Sequence, residues 1–169
     1  MKKVLLFGAF FAFIGMSGFA QEAAEEVTNE ELAKFANVEV MTSEYVDSKT
    51  EELRAMILEN EIFKGGARYN EIKAAWGDEA KMAEANVTDE EKAAYQAILD
   101  FQGGLQQSVV DYKTNLITDS DVISVSVYNK VLGAIKEDPA VKEKLDTMIE
   151  EMKAAAAPAE DGEAAEDGK

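Results

Sequence analysis

Two short segments, sixty positions apart, constrain the fold of this chain more than any other feature. The sequence Val-Thr-Asn-Glu-Glu around Thr28 returns as Val-Thr-Asp-Glu-Glu around Thr88. Each has the form of a capping box, in which the Thr oxygen accepts from the backbone N–H three residues later and the Glu at that position accepts from the N–H of the Thr. Thr28 with Glu31, and Thr88 with Glu91, are therefore predicted to start two helices.

The apolar residues that follow the two starts keep one register, which indicates an internal repeat. Their helical spacing places them on one face of each long helix. We interpret 27–86 and 87–155 as two copies of a unit of about 60 residues, each with one long helix and two short ones. The predicted fold is an all-α helical bundle in which the two copies pack as one domain. The matched residues include Phe35 and Tyr95, Val38 and Ile98, Met41 and Phe101, and Met56 and Leu116.

Each long helix is associated with a Gly-Gly pair, at its end in the first helix and in its interior in the second. The first helix is expected over about 28–63, ended by the Gly-Gly pair at 65–66, because glycine readily adopts the positive φ of a helix C-terminus. The second is expected over about 88–117, and it contains a Gly-Gly pair at 103–104. We interpret this second pair as a place of close packing against the first long helix, and the alternative is a kink.

A Tyr-Asn pair recurs in the short helices, at Tyr69 and at Tyr128. Both tyrosines begin an apolar stripe with helical spacing, so core packing is favoured over a ligand platform. We predict a structural joint in which the rings enter the core and the Asn amides bond a neighbouring loop or helix end. The Asp-Pro pair at 138–139 is typical of a helix start. The predicted joint comprises Tyr69, Asn70, Trp76, Tyr128, Asn129, Ile135, Asp138 and Pro139.

The segment 122–127 carries two conflicting signals. Its alternation of Ile or Val with Ser favours a strand, whereas Ser124 is a suitable N-cap for a helix that contains Tyr128. We predict the helix, because the matching part of the first copy contains the Gly-Gly pair at 65–66, and glycine is unfavourable inside a strand.

The chemistry available to the side chains is narrow. The chain has no His and no Cys, which excludes Ser-His-Asp and Cys-His catalysis and most zinc and copper sites. It has no glycine-rich nucleotide-binding motif. Carboxylate pairs are expected by chance among 34 acidic residues, so we assign no catalytic residue and predict that the protein is not an enzyme. An enzyme would need two convergent carboxylates, one with a raised pKa.

No cofactor is predicted, and the only metal candidate is weak. Calcium suits the composition best, because it takes hard oxygen ligands. The turn at 118–121 offers Asp119 and Asp121 as candidate ligands. It lacks the EF-hand spacing, glycine and final bidentate Glu.

The termini are predicted to lie outside the folded domain. Two lysines, an apolar segment at 4–14 and a small-residue site ending at Ala20 have the layout of a cleaved signal peptide, and the alternative is an uncleaved N-terminal anchor. A periplasmic or secreted protein is therefore predicted. We divide the ends of the chain into a signal peptide at 1–20, a flexible leader at 21–26 and a disordered acidic tail at 156–169.

The charge of the chain limits its partners. Removal of the signal peptide leaves 15 of the 17 basic residues against 34 acidic ones, a net charge of −19. Nucleic acid and anionic membrane surfaces both need clustered Lys and Arg, so neither is a predicted partner. A surface of this charge favours solubility, or the binding of cations or a basic protein.

Several of these motifs together resemble a known family. The capped start at Thr88, the Ser-capped helix with Tyr128-Asn129 and the start at Asp138-Pro139 are similar to the small exported bacterial proteins catalogued as domain of unknown function 4168. The match is best in 87–152, whereas the first copy has Gly-Asp-Glu where the second has Glu-Asp-Pro. The resemblance implies an exported, all-helical protein and no reaction. The end of the signal peptide also resembles those of Gram-negative bacteria.

These observations favour a non-catalytic protein-interaction or envelope accessory module, whose candidate partner is another envelope protein. The alternative is a binder of a small apolar ligand, or of Ca²⁺, between or beside the helices. An exposed apolar surface would favour the first function. An internal cavity of roughly 300 Å³ or more would favour the second.

Overall fold

The all-α helical bundle is confirmed by the computed structural model, which describes residues 26–156. The predicted signal peptide, residues 21–25 of the leader and residues 157–169 of the tail lie outside this range. Six α-helices and one 3₁₀ segment make up the described range, which contains no strand. They are α1 (Asn29–Leu58), the 3₁₀ segment (Glu61–Gly66), α2 (Ala67–Ala75), α3 (Glu79–Glu84), α4 (Asp89–Thr118), α5 (Val125–Glu137) and α6 (Pro139–Ala156).

The two long helices, α1 and α4, contain 30 residues each and begin in the same way. In α1 the N–H of Glu31 donates to Thr28 Oγ1 at 3.2 Å, and the N–H of Thr28 donates to Glu31 Oε2 at 2.8 Å. Thr88 and Glu91 repeat both bonds at the start of α4. These reciprocal bonds satisfy backbone donors that the first turn of a helix leaves without partners.

The predicted end of the first long helix is wrong. α1 stops at Leu58 rather than near residue 63, because Asn60 offers the backbone a competing bond. The side chain of Asn60 accepts from the N–H of Ile62 at 3.0 Å and starts the 3₁₀ segment. Positive φ values then follow at three residues in a row, and they turn the chain into α2. These residues are Lys64, Gly65 and Gly66.

The interpretation of the glycines in the second long helix is also wrong. Gly103 and Gly104 are exposed, and a Cβ built on either would meet no atom within 4 Å. They are therefore not a point of close approach to α1. α4 continues through them as an α-helix.

The last two helices begin where capping residues predict. The N–H of Val127 donates to Ser124 Oγ at 3.3 Å, and α5 begins at Val125, so the segment 122–127 leads into a helix and not a strand. Asp138 Oδ1 accepts from the N–H of Ala140 at 2.8 Å at the start of α6. Because α6 continues to Ala156, the first residue of the predicted tail is helical.

The core consists of two separate clusters of buried side chains, one at each end of the α1–α4 pair. Cluster one joins the first part of α1 to the end of α4 and to α5 and α6; its buried members are Leu32, Phe35, Ala36, Val38, Leu116, Ile123, Tyr128, Val131 and Leu145. Cluster two joins the 3₁₀ segment and α2 to the first part of α4; its buried members are Phe63, Tyr69, Ile72, Tyr95 and Ile98. Both predicted copies contribute residues to each cluster. None of the helices within 26–156 is long and apolar enough to cross a membrane.

Candidate functional site

Between the two clusters the core is interrupted. No residue is buried from Met41 to Leu53 in α1 or from Leu99 to Tyr112 in α4. We call these two segments together the waist. The end of α6 reaches the α1 segment, where Lys153 Nζ donates to Ser43 Oγ at 2.9 Å, and Val110 of the α4 segment is 45% exposed. The other large apolar side chains of the waist are only half-buried. They are Met41, Tyr45, Val46, Leu53, Leu99, Phe101, Leu105, Val109 and Tyr112.

α1 and α4 run antiparallel through the waist, and aromatic rings join them. The rings of Tyr45 and Tyr112 stack with centroids 4.2 Å apart and planes 6° from parallel. The ammonium of Lys49 lies 5.7 Å from the centroid of the Tyr45 ring and 5.6 Å from that of Phe101. Its Nζ also donates to Glu52 Oε2 at 2.6 Å, and this bond raises the pKa of Lys49. The rings therefore already hold one cationic side chain, as cation–π attraction allows.

Charge on the waist is strongly one-sided. Its two segments carry a single cationic residue, Lys49, against six carboxylates, a local net charge of −5. All six carboxylates are exposed; they are Glu44, Asp47, Glu51, Glu52, Asp100 and Asp111. The waist is thus a half-apolar surface bordered by negative charge.

At cluster one, the capping Glu of α1 also binds a helix of the other half of the chain. Lys130 of α5 donates to both carboxylate oxygens of Glu31 at 3.0 Å, and the pKa of Glu31 is lowered, first by its bond to the backbone of Thr28 and then by Lys130. Phe35 stacks on Tyr128 at 4.7 Å. Burial raises the pKa of Tyr128 to about 12, with a smaller contribution from the nearby Glu39 carboxylate.

At cluster two, Arg68 plays the corresponding part for the capping Glu of α4. Its Nε and Nη2 donate to the two oxygens of Glu91 at 2.6 and 2.9 Å, a bidentate pair. Its Nη1 donates to Glu71 at 2.7 Å, and its Nη2 also donates to the carbonyl of Ala85 at 3.0 Å. The bond from Arg68 lowers the pKa of Glu91 to about 2, and the carboxylates in turn raise the pKa of Arg68.

Sequence reasoning missed the ion pair between Arg68 of α2 and Glu91 of α4. It also missed a second ion pair, which joins the two long helices and in which Lys113 Nζ lies 2.8 Å from Glu39 Oε1. A signal for the first was present, since Arg68 is one of only two arginines among 17 basic residues. Arginine is the basic residue suited to bidentate binding of carboxylates. No local pattern pairs residues 74 positions apart, so the second could not be found.

The residues of the predicted joint do not meet at one place. Tyr69 is buried in cluster two, where Trp76 packs half-buried with its ring 4.5 Å from that of Tyr95. Tyr128 is buried in cluster one, and Ile135 packs against the same cluster, while Asp138 caps α6 and Pro139 is its exposed first residue. The side chains of Asn70 and Asn129 are exposed, and neither makes a hydrogen bond within residues 26–156. The hydrogen bonds that we expected from the two Asn side-chain amides are thus missing from the described residues.

The candidate calcium ligands form a turn. Asp119 Oδ1 accepts from the N–H of Asp121 at 2.9 Å, and both residues are exposed. Within the described range no group of three or more His, Cys, Asp or Glu side chains converges in a way that could hold a metal ion. The two aspartates therefore stand as a pair without a third acidic ligand from that range.

Two surface depressions bear on the alternative of a small ligand. One, of about 250 Å³, lies between α2 and α3 and is lined by Glu71, Ala75 and Lys81 among others. The second, of about 240 Å³, lies where the end of α6 meets α1 and is lined by Ser43 and Lys153 among others. Both are open to solvent and smaller than the roughly 300 Å³ typical of a small-molecule site.

A comparison of the chain with protein-family models, with curated proteins and with solved structures finds no match. The resemblance to the domain of unknown function 4168 stays a prediction.

Proposed function

We propose that this chain is an exported, non-catalytic protein-interaction module that binds another envelope protein through its waist. The observation that carries the proposal is the interruption of the core. Helical domains bury the apolar stripe of each helix against other elements. Both ends of the α1–α4 pair satisfy that rule, whereas no residue of the waist is buried. Of its nine half-buried apolar side chains, Met41 and Tyr112 pack against cluster one and Leu53 and Leu99 against cluster two. The other five pack against neither cluster, and they are Tyr45, Val46, Phe101, Leu105 and Val109.

Other surfaces of the described range are less suited to a partner. The most exposed large apolar residues outside the waist are Leu58 and Val125, with 42% and 48% of their surface accessible. They lie at the end of α1 and the start of α5, and isolated apolar residues of this kind are normal on a protein surface. The stripe of α6 is already used, because Leu145 is buried in cluster one and its apolar neighbours pack there.

The export, the bacterial envelope location and the absence of catalysis rest on sequence. They are supported by the layout of residues 1–20, by the net charge of −17 and by the absence of His and Cys from the chain. Membership in the family that the chain resembles is supported by other residues, the motifs at Thr88, Ser124, Tyr128-Asn129 and Asp138-Pro139. A binder of small ligands is a weaker candidate, because the two depressions are shallow and open.

Site-specific photo-crosslinking in the producing cell tests the proposal. A photoreactive residue replaces Leu105, half-buried in the waist, and in a matched variant it replaces Val125, exposed on α5. We expect the Leu105 variant to give one discrete adduct with an exported protein, and the Val125 variant to give none. The intact mass of the purified chain also reports whether residues 1–20 have been removed.

Three results would contradict the proposal. No adduct from either position would mean that the waist has no protein partner in the cell. Equal adducts from both positions would mean that contact is non-selective. An adduct made only of two copies of this chain would assign the waist to self-association.

A further inference from the structure

We propose that the partner presents a cationic amphipathic helix, and that this helix lies along the waist over the part of the α1–α4 pair that α6 does not cover. The inference rests on the proposed function and adds the chemistry of the partner. It follows from three properties of the waist, namely its length, its aromatic residues and its charge.

The length of the waist suits a helix of about four turns. Residues 99–112 of α4 extend about 20 Å at the 1.5 Å rise of an α-helix, and α1 accompanies them in the opposite direction. The waist ends where short helices begin to cover the pair, since Ile98 is buried under α2 and Leu116 beside α5. The end of α6 lies beside the first part of the α1 segment, where Lys153 Nζ donates to Ser43 Oγ at 2.9 Å, so the uncovered part of α1 begins near Asp47. An amphipathic helix fills such a groove with apolar residues spaced three and four apart.

The aromatic residues supply the apolar anchor for this helix. The stacked rings of Tyr45 and Tyr112 join the two long helices at the cluster-one end of the waist, and Phe101 lies 11 residues earlier in α4. Rings of this kind carry much of the binding energy of protein interfaces, because they bury a large area at a small cost in conformational entropy. The same rings attract cations, and Lys49 already lies over two of them.

Charge decides between a cationic helix and a second copy of the chain. Two waists facing each other would bring together segments that each carry a local net charge of −5, or −4 when Lys153 beside Ser43 is counted. Like charges across an interface oppose association. Lysines and arginines flanking an apolar stripe would instead meet exposed carboxylates on both long helices, among them Asp47 and Asp111.

Peptide binding to the protein purified from its producing cells tests the inference. The probe is a labelled 14-residue helix of Leu and Lys with its leucines on one face, and its controls are a scrambled peptide of equal composition and a helix of Leu and Glu. We expect the amphipathic cationic peptide to bind, with an affinity that falls as salt rises, and we expect neither control peptide to bind comparably. Binding by the scrambled peptide at equal affinity would overturn the inference, because it would show attraction by charge alone.

Paired substitutions locate the binding. Phe101→Ser is expected to weaken binding about tenfold, since a buried ring contributes at least the 1.4 kcal/mol to which that factor corresponds. Val125→Ser, which also replaces an apolar side chain by Ser but lies away from the waist, is expected to leave binding unchanged. Thermal unfolding of both variants shows whether each remains folded, and Tyr45→Ser repeats the test from α1 if Phe101→Ser does not fold. Equal losses in the waist and control variants would overturn the inference.

Failure of this inference and failure of the proposed function are distinguishable. If crosslinking from Leu105 captures an exported protein whose contacting segment is not cationic and amphipathic, the interaction module stands and the cationic helix is wrong. If crosslinking captures nothing, both the proposed function and this inference are wrong, whatever the peptide result.

Discussion

At each end of the α1–α4 pair short helices cover the long ones and bury five to nine side chains, whereas between the ends the same two helices bury none. The apolar stripes nevertheless continue through the waist, where Phe101, Leu105 and Tyr112 keep helical spacing. The difference shows that an amphipathic pattern predicts which face of a helix is apolar, but not whether another element packs on that face. Two packed helices leave part of each stripe open unless a third element lies over it.

The two ends also solve one electrostatic problem with different residues. Each capping Glu bonds its own helix start and a basic side chain of the other half, Lys130 for Glu31 and Arg68 for Glu91. The Arg68 pair is bidentate, and it also reaches Glu71 and a backbone carbonyl. The smaller of the two clusters, cluster two, thus has the more extensive hydrogen bonding to its capping Glu.

The largest expected effect separates the ends from the waist. Phe35 is only 2% exposed, so Phe35→Ala should lower the free energy of unfolding by about 3–5 kcal/mol. Phe101→Ala, which removes the same atoms from a half-buried site, should cost about 1 kcal/mol. Chemical denaturation measures both, and Phe35→Leu replaces Phe35→Ala if the latter does not fold. Equal losses would show that the waist is as well packed as the ends.

An intermediate effect on stability is expected at the ion pair of Arg68 and Glu91 in cluster two. Because the pKa of Glu91 is about 2 in the folded chain and near 4.5 otherwise, its pairing stabilises the fold fully above pH 4.5. That stability is lost as the pH falls toward 2, and after allowance for solvent screening at the surface it is on the order of 1–3 kcal/mol. Glu91→Gln should remove most of it at pH 7 and flatten the acid side of the stability profile.

The matched control for this prediction is Glu90→Gln, one position away. Glu90 is exposed and makes no ion pair within residues 26–156. It should change the free energy of unfolding by less than about 0.5 kcal/mol. Identical stability profiles for the Glu90 and Glu91 variants between pH 2 and pH 7 would refute the role of the Arg68 pair.

The smallest expected effects compare glycines of the ends and the waist. Gly66 has a φ of +93°, and an added Cβ would lie 2.9 Å from Leu58 Cδ2, so Gly66→Ala should destabilise by more than about 1 kcal/mol. Gly103→Ala places its methyl group in open space within α4 and should stabilise by about 0.5–1 kcal/mol. Differential scanning calorimetry would show melting temperatures moving in opposite directions. A lower melting temperature for Gly103→Ala would indicate that this glycine is needed for close packing.

Much of the helical framework was predictable, because its signals are local. Thr88 with Glu91, Ser124 and Asp138 each accept from a backbone N–H two or three residues away, so sequence neighbours suffice to place these starts. The end of α1 was not predicted, although its cause is also local: the side-chain bond of Asn60 outcompetes the helix before the glycines are reached.

What the sequence determined by itself is therefore the helical class, most helix starts, the absence of His and Cys, and the strong negative charge. Only the tertiary structure decided that Phe35 stacks on Tyr128, that Arg68 binds Glu91, and that no residue of the waist is buried. The physical reason is the range of the interactions. Capping acts between neighbours in sequence, whereas burial depends on which elements the chain brings together across many residues.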